Sequence, residues 1–378
     1  MATGPKPMNS TLTVDFTPEA FLVQEYGGVS RCFAELARAL AEGGEVRPCI
    51  HALVHGNAHL RELSPGLVRG MSLPIKGDLR KLAIHLPRLA FALRTRVRPP
   101  RIVHDTGYAF AASRVQRFPV LVTVHDMLQE ADPEFARAKA RAISQKRRAI
   151  ANATRIVVPS VGTRDEVVRL EGVDPARIEV IHHGARMPEP SPVHPNGDRP
   201  YLLHVGARKR YKDFATAVRA FARLQKGGFA GDLLTVTRSG FDAQERALQR
   251  DLGLRDGSVR TVAADDRALA TLYAHAQGLV VPSRGEGFGI PILEAMSLGC
   301  PVACMRVIGC AEVAGDAALL AEAGDDVELA ANLAKLVGDT EVRARCVARG
   351  RARAAELSWE RAAVGYARMT RALAGVTT

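Results

Sequence analysis

Short β-branched runs alternate with amphipathic stretches along the whole chain: TLTVDF (11–16), PVLVTVHD (119–126), RIVVPS (155–160), IEVIHHG (178–184), YLLHVGA (201–207), LLTVTRS (233–239), GLVVPS (278–283) and CPVACM (300–305). Between them, 29–43, 213–225 and 326–337 carry apolar residues at three- and four-residue steps, the spacing of a helix face. Strand, helix, strand in succession predicts parallel sheets and an α/β fold. The stretch MPEPSPVHPNGDRP (187–200) holds five prolines and a glycine, a composition that argues against regular structure and marks a linker. At 378 residues the chain suits two domains. The expected division is 1–187, a linker at 188–200, and 201–358. Two doubly wound, Rossmann-like domains bind ligands outside the carboxyl ends of their strands, so the active site is expected in an interdomain cleft.

A composition of 47% hydrophobic and 24% charged residues belongs to a globular protein with a core to bury. No apolar run approaches the roughly 20 residues that cross a bilayer, and MATGPKPMNSTLTVDF lacks the apolar centre of a signal peptide, so a cytoplasmic location is expected. Cys32, Cys49, Cys300, Cys304, Cys310 and Cys346 show no C-x-x-C spacing and read as reduced core residues. A metal site at 300, 304 and 310 is the alternative to packing. Of the net charge of +12, an excess of 11 lies in residues 51–150, which hold 18 Lys and Arg against 7 Asp and Glu. Residues 76–101 and 136–148 carry much of it with apolar residues interspersed. Read as helices, they suit an anionic membrane surface or an acidic acceptor, and an ordinary solvated Arg-rich surface is the other reading. No nucleic-acid-binding module accompanies the charge.

The sharpest segment is GEGFGIPILEAMSLGCPV (285–302), a glycine-rich turn between a strand and a helix. Its glycines let backbone N–H groups approach a phosphate or sugar, and Glu286 and Glu294 offer carboxylates to sugar and ribose hydroxyls. In HVGARKRYKDF (204–214), Arg208, Lys209, Arg210 and Lys212 follow a strand, where cations can neutralise a diphosphate leaving group. No Asp-x-Asp pair occurs to hold a divalent ion on phosphate, so no metal or other cofactor is expected. Gly27 and Gly28 precede a helix, and His125 ends a strand at VTVHD beside Asp126. Each of these has a bland alternative: a solvated basic turn, surface acids, a structural strand-end histidine.

These segments together resemble the retaining GT-B glycosyltransferases of family GT4, from about Tyr26 to Trp359. The most specific piece is the E-x7-E arrangement of Glu286 and Glu294, supported by YGGVSR (26–31), VTVHDM (122–127), GVDPARIEVIHHG (172–184) and VGARKRYKDF (205–214). The resemblance implies that Arg208 and Lys212 bind the donor diphosphate, Glu286 holds the transferred sugar and Glu294 the ribose. It places Gly27 and Gly28 near the phosphates, His125 near the sugar, and Gly287, Phe288, Gly289 and Ile290 in the donor loop. It also implies a last helix, 359–378, returning to the N-terminal domain, and metal-free transfer in which the leaving phosphate helps deprotonate the acceptor. The HHG and G-x-R-x-x-Y-K patterns are similar to bacterial lipopolysaccharide mannosyltransferases, which implies GDP-mannose as donor; a glycan or lipid-linked glycan is the expected acceptor, and the basic excess in residues 51–150 is expected to attach the chain to the inner face of the plasma membrane. TVTRSGFDAQ (235–244) and MRVIGCAEVAG (305–315) depart from the family pattern, although Glu312 fits it. A UDP-sugar transferase, a nucleotide-sugar epimerase or hydrolase, and a non-catalytic binding protein are the alternatives.

Overall fold

The computed structural model describes residues 11–22, 25–73, 79–113, 117–131 and 133–375, and within these the side chains of 79–84 and 133–135 are not described. Residues 1–10 of the stretch read for a signal peptide, and Lys76 of the basic stretch, lie outside the described residues. The chain forms two compact units, one of Met1–Val158, Glu166–Ile181 and Trp359–Thr378, the other of Pro159–Asp165 and His182–Ser358.

In the first unit, β1 (Leu12–Phe16), β2 (Val46–Ile50), β3 (Ile102–Asp105), β4 (Val120–Thr123), β5 (Arg155–Val158) and β6 (Ile178–Val180) make one parallel sheet in the order β2-β1-β3-β4-β5-β6. β3 and β4 are buried at every residue, as expected of parallel strands covered on both faces. Helix α1 (Gly28–Gly43) buries Cys32, Phe33, Leu36, Ala37 and Leu40 and ends where Gly44 turns left-handed, its N–H closing on the Leu40 carbonyl at 3.2 Å. The two basic stretches are helical: α2 (Leu79–Val97) and α3 (Ala140–Asn152). The C-terminal helix Trp359–Leu373 packs on α1, and its Tyr366 hydroxyl meets Thr123 Oγ1 of β4 at 3.1 Å.

In the second unit, β7 (Tyr201–Val205), β8 (Asp232–Val236), β9 (Val259–Val262), β10 (Gly278–Val281), β11 (Val302–Met305) and β12 (Leu319–Ala321) form a parallel sheet in the order β9-β8-β7-β10-β11-β12. Helices α4 (Phe214–Lys226), α5 (Ala243–Asp251), α6 (Asp266–His275), α7 (Ile290–Ser297) and α8 (Cys310–Ala314) lie among these strands in sequence. Two apolar clusters, one around Tyr273, Leu293 and Met296 and one around Phe214, Phe221 and Leu333, bury the faces of the sheet.

The linker expectation needs correction. The chain passes finally into the second unit between Ile181 and His182, 188–200 belongs to that unit, and so does Pro159–Asp165, which the expected 1–187 division assigned to the first. There Ser191 N–H donates to Thr271 Oγ1 at 2.9 Å, Asn196 Nδ2 donates to Asp232 at 3.2 Å, and Pro195–Asp198 is a short strand. Prolines remove backbone donors, but bonds to neighbouring side chains fix the segment all the same. No helix of the described residues is long and apolar enough to cross a membrane. All six cysteines are free and buried.

Candidate active site

In the second sheet β7 and β10 are neighbours although two strands separate them in sequence, so the strand order reverses between them. Helices that follow β7 and β10 then leave on opposite faces, opening a crevice at the strands' carboxyl ends. The basic loop follows β7 and the glycine-rich loop follows β10, so topology brings the two motifs to one place. Lys212 Nζ donates to Glu286 Oε1 at 2.5 Å, and Ser283 Oγ donates to the same oxygen at 2.7 Å. The side chains of Lys212 and Glu286 are only 16% and 11% exposed, which keeps solvent from screening the pair. Burial acts to lower the Lys212 pKa, but the charge and hydrogen bond of Glu286 outweigh it and hold the ammonium above its ordinary value. Arg284 laces the loops further, its N–H donating to the Tyr211 carbonyl at 2.8 Å and its Nε to Asp213 at 2.7 Å. Of the other two cations in the basic run, Lys209 and Arg210 are exposed.

Arg208 is engaged elsewhere. Its Nε donates to Glu245 Oε1 at 2.6 Å and its two terminal nitrogens to the carbonyls of Ser239 and Gly240 at 3.2 and 2.5 Å. The guanidinium carbon lies 5.1 Å from the Phe241 ring centre and 5.7 Å from that of Phe214. Glu245 also closes a capping box with Asp242 at the start of α5. The divergent 235–244 segment is thus built around Arg208, a role the sequence did not disclose. Glu294, one turn into α7, is buried and accepts from the Tyr273 hydroxyl at 2.9 Å.

The glycine-rich loop is fixed from beneath. The Gly287 carbonyl accepts from Ser160 Oγ at 2.7 Å and Thr163 Oγ1 at 3.0 Å. Phe288 is buried with the His183 ring 5.4 Å away, and Gly289, at φ +92°, starts α7 at Ile290. Gly309, in the second divergent segment, has φ +81°, and a Cβ there would stand 2.4 Å from the Glu286 carbonyl oxygen and 2.9 Å from the Phe288 nitrogen. Gly309→Ala therefore strains its own backbone and displaces Glu286. It is expected to cost about 2 kcal/mol in thermal denaturation and to lower turnover; unchanged stability and turnover count against the close approach. Next to it Cys310 is buried, and burial raises its thiol pKa well above the usual value, which makes it a packing group.

Glu312 accepts from the N–H groups of Val161 and Gly162 at 2.9 and 3.3 Å and from His182 Nε2 at 2.8 Å. Burial would raise its pKa, but these donors hold it below the ordinary value. A carboxyl whose folded pKa is depressed contributes stability above its unfolded pKa and loses it as pH falls through the folded one. Glu312→Gln should thus lower the melting temperature at neutral pH by an amount worth about 1–2 kcal/mol, with the gap to wild type closing as the pH falls below the ordinary glutamate pKa and through the depressed folded one. A gap independent of pH would show that the charge of Glu312 does not matter.

In the first unit, Gly27 is the extended N-cap of α1 and Gly28 is exposed, with nothing within 4 Å of the place a Cβ would take. The α1 N-terminus is thus open to an anion. His125 is half-buried against Phe33 at 5.4 Å, and burial pushes its pKa down to about 4, so its imidazole is neutral at physiological pH. As possible metal ligands in this unit, Asp15, Cys49 and His51 lie within 4.8 Å of one another. Arg94 stands 3.6 Å from Asp15, bringing a fixed positive charge that opposes a cation there.

Comparison with known proteins gives this geometry a family. Residues 26–186 match the family model Glycosyltransferase Family 4, and residues 188–353 match Glycosyl transferases group 1. The chain is 35% identical to an O-antigen chain mannosyltransferase B of Escherichia coli over 162 residues, 42% of this chain and 42% of the relative's length. It is 26% identical over 386 residues to a D-inositol 3-phosphate glycosyltransferase of Frankia alni, covering 91% of this chain and 94% of that one. Anabaena HepE, solved with UDP and glucose, superposes with a TM-score of 0.72 at 18% identity, covering 96% of this chain and 100% of HepE. Matched in order over both halves and folded into two sheets of this kind, the chain belongs to the family 4, group 1 glycosyltransferases of GT-B fold.

Proposed function

We propose that this glycosyltransferase moves mannose from GDP-mannose onto a glycan or lipid-linked glycan acceptor of lipopolysaccharide or related polysaccharide synthesis, with retention of configuration and without a metal ion. The observation that carries the reading is the Lys212–Glu286 pair at the reversal point of the second sheet. Lys212, held charged, faces the diphosphate and offsets its growing charge as the sugar leaves. Glu286 accepts from hydroxyls of the transferred sugar, backbone N–H groups of Gly287, Phe288, Gly289 and Ile290 line its path, and Glu294 takes the ribose. The bond from the anomeric carbon to phosphate breaks as the acceptor oxygen attacks on the same face, and the departing phosphate oxygen takes the acceptor's proton. In the first unit, Gly27 and Gly28 at the start of α1 suit an anionic group, and neutral His125 suits a sugar hydroxyl.

Mannose is supported by the Escherichia coli relative and by the HHG and G-x-R-x-x-Y-K patterns. A UDP-sugar donor is the second reading, favoured by the fold shared with HepE, solved with UDP and glucose. We place the enzyme's work in the cytoplasm at an anionic membrane surface, on the strength of the 11 excess cations in residues 51–150. Thermal stabilisation by GDP-, UDP-, ADP- and dTDP-linked sugars, with and without chelator, tests the donor, because a ligand of the folded state raises the melting temperature by mass action. A chelator-insensitive shift with GDP-mannose is the expected result. A shift with a UDP-sugar alone selects the second reading, and loss of the shift in chelator overturns metal independence.

A further inference from the structure

Helix α2 (Leu79–Val97) is inverted with respect to an ordinary surface helix. Pro87, Phe91 and Thr95 face inward and are buried. Leu86, Leu89, Leu93 and Val97, spaced by three, four and four residues, are 43%, 58%, 50% and 81% exposed. At 3.6 residues per turn these four lie within about a quarter of the helix circumference, opposite the buried face. A helix packed on a domain ordinarily turns polar residues outward, so a run of four apolar ones there marks a surface with an occupant. Leu53, Met71 and Leu73 add to the exposed apolar surface of this unit, flanking the paired strands Val54–His55 and Met71–Ser72, the first of which α2 contacts.

Charge identifies the occupant. Arg88 and Arg94 reach the buried acids Glu19 and Asp15 at 3.4 and 3.6 Å. Arg96, Arg98 and Arg101 are exposed at the carboxyl end of α2, in the stretch that carries most of the chain's positive charge. An apolar stripe edged by cations matches an anionic bilayer surface, with acyl chains for the leucines and headgroups for the arginines. We propose that α2 is a membrane-insertion helix, with Leu86, Leu89, Leu93 and Val97 entering the acyl boundary and Arg96, Arg98 and Arg101 on the headgroups. This deepens the surface reading above and rests on it: attachment is by burial of apolar side chains as well as by charge, and so persists in salt that screens charge alone.

The test is sedimentation of the full chain with vesicles of phosphatidylcholine alone and of phosphatidylcholine with phosphatidylglycerol, at low and moderate salt. Wild type should bind the anionic vesicles in both salts. The variant Leu86→Gln/Leu89→Gln/Leu93→Gln/Val97→Gln changes only exposed side chains, and its melting temperature reports whether it folds. It should bind about 10-fold more weakly or worse, with the loss greatest at moderate salt. Leu89→Trp supplies a second readout, since the chain's single native tryptophan, Trp359, is buried. Its emission should shift to the blue on adding anionic vesicles. Binding by the glutamine variant equal to wild type, with no shift at position 89, overturns insertion while leaving charge-driven attachment standing. Wild type that ignores every vesicle overturns both. A wild type that self-associates where the glutamine variant does not assigns the stripe to a second copy of the chain and overturns the membrane reading.

Discussion

Glu286→Ala lowers turnover by about 100-fold or more, the scale seen when a preorganised electrostatic contact to the reacting centre is removed. The loss has two parts. On the proposed reading the sugar loses its hydrogen-bond acceptor, and Lys212 loses the carboxylate 2.5 Å from its ammonium. Burial is the largest influence on Lys212 and acts to lower its pKa; Glu286 reverses that. With Glu286 gone, burial prevails and the ammonium sheds its proton more readily. The residual activity of the variant should therefore fall with rising pH over a range where wild type is flat. Steady-state rates across neutral to alkaline pH check this. Near-normal turnover would remove Glu286 from the site, and a pH profile parallel to wild type would show that Glu286 does not maintain the charge of Lys212.

Much of this was legible in the sequence, for identifiable reasons. Strands such as LLHV and GLVV are buried on both faces of a parallel sheet and read as nearly continuous apolar runs, broken only by His204. The strands that escaped notice lacked that signal. β2 (VRPCI) carries Pro48, which a sheet tolerates because β2 lies at its edge, and β9 (VRTV) and β12 (LLA) are edge strands too, one alternating with polar residues and one of three residues. β3 (IVHD) is short and contains two polar residues that are buried. The Lys212–Glu286 pair could be anticipated from two motifs, but only the strand order places residues 74 positions apart in contact. Gly309 and Arg208 were hidden for the same reason. A glycine between Ile308 and Cys310 has no meaning until the Glu286 backbone passes over it, and the partner of Arg208 comes from α5, beyond α4 and the next strand. The basic character of 76–101 was plain, whereas which way its leucines point depends on where Phe91 finds its core.

Lys212→Ala lowers turnover by at least about 100-fold, and comparison with Arg208→Ala separates two cations that the sequence treats alike. On the proposed reading Lys212, which adjoins Glu286 at the reversal point, is a fixed positive charge for the leaving diphosphate, and its loss also leaves a largely buried carboxylate without this partner. Arg208 holds the 239–245 loop through Glu245 and two carbonyls. If it acts through that loop, Arg208→Ala raises KM for the donor more than it lowers kcat, and Glu245→Ala reproduces the effect because it releases the same loop. A direct contact with the diphosphate instead gives a fall in kcat on the scale of Lys212→Ala, with Glu245→Ala nearly silent. The affinity of nucleoside diphosphate relative to monophosphate distinguishes the cases further. Removing Lys212 should narrow that ratio sharply, whereas releasing the loop should weaken both nucleotides together. Turnover of Lys212→Ala within a few fold of wild type would mean that the positive charge for the leaving group comes from elsewhere in the molecule.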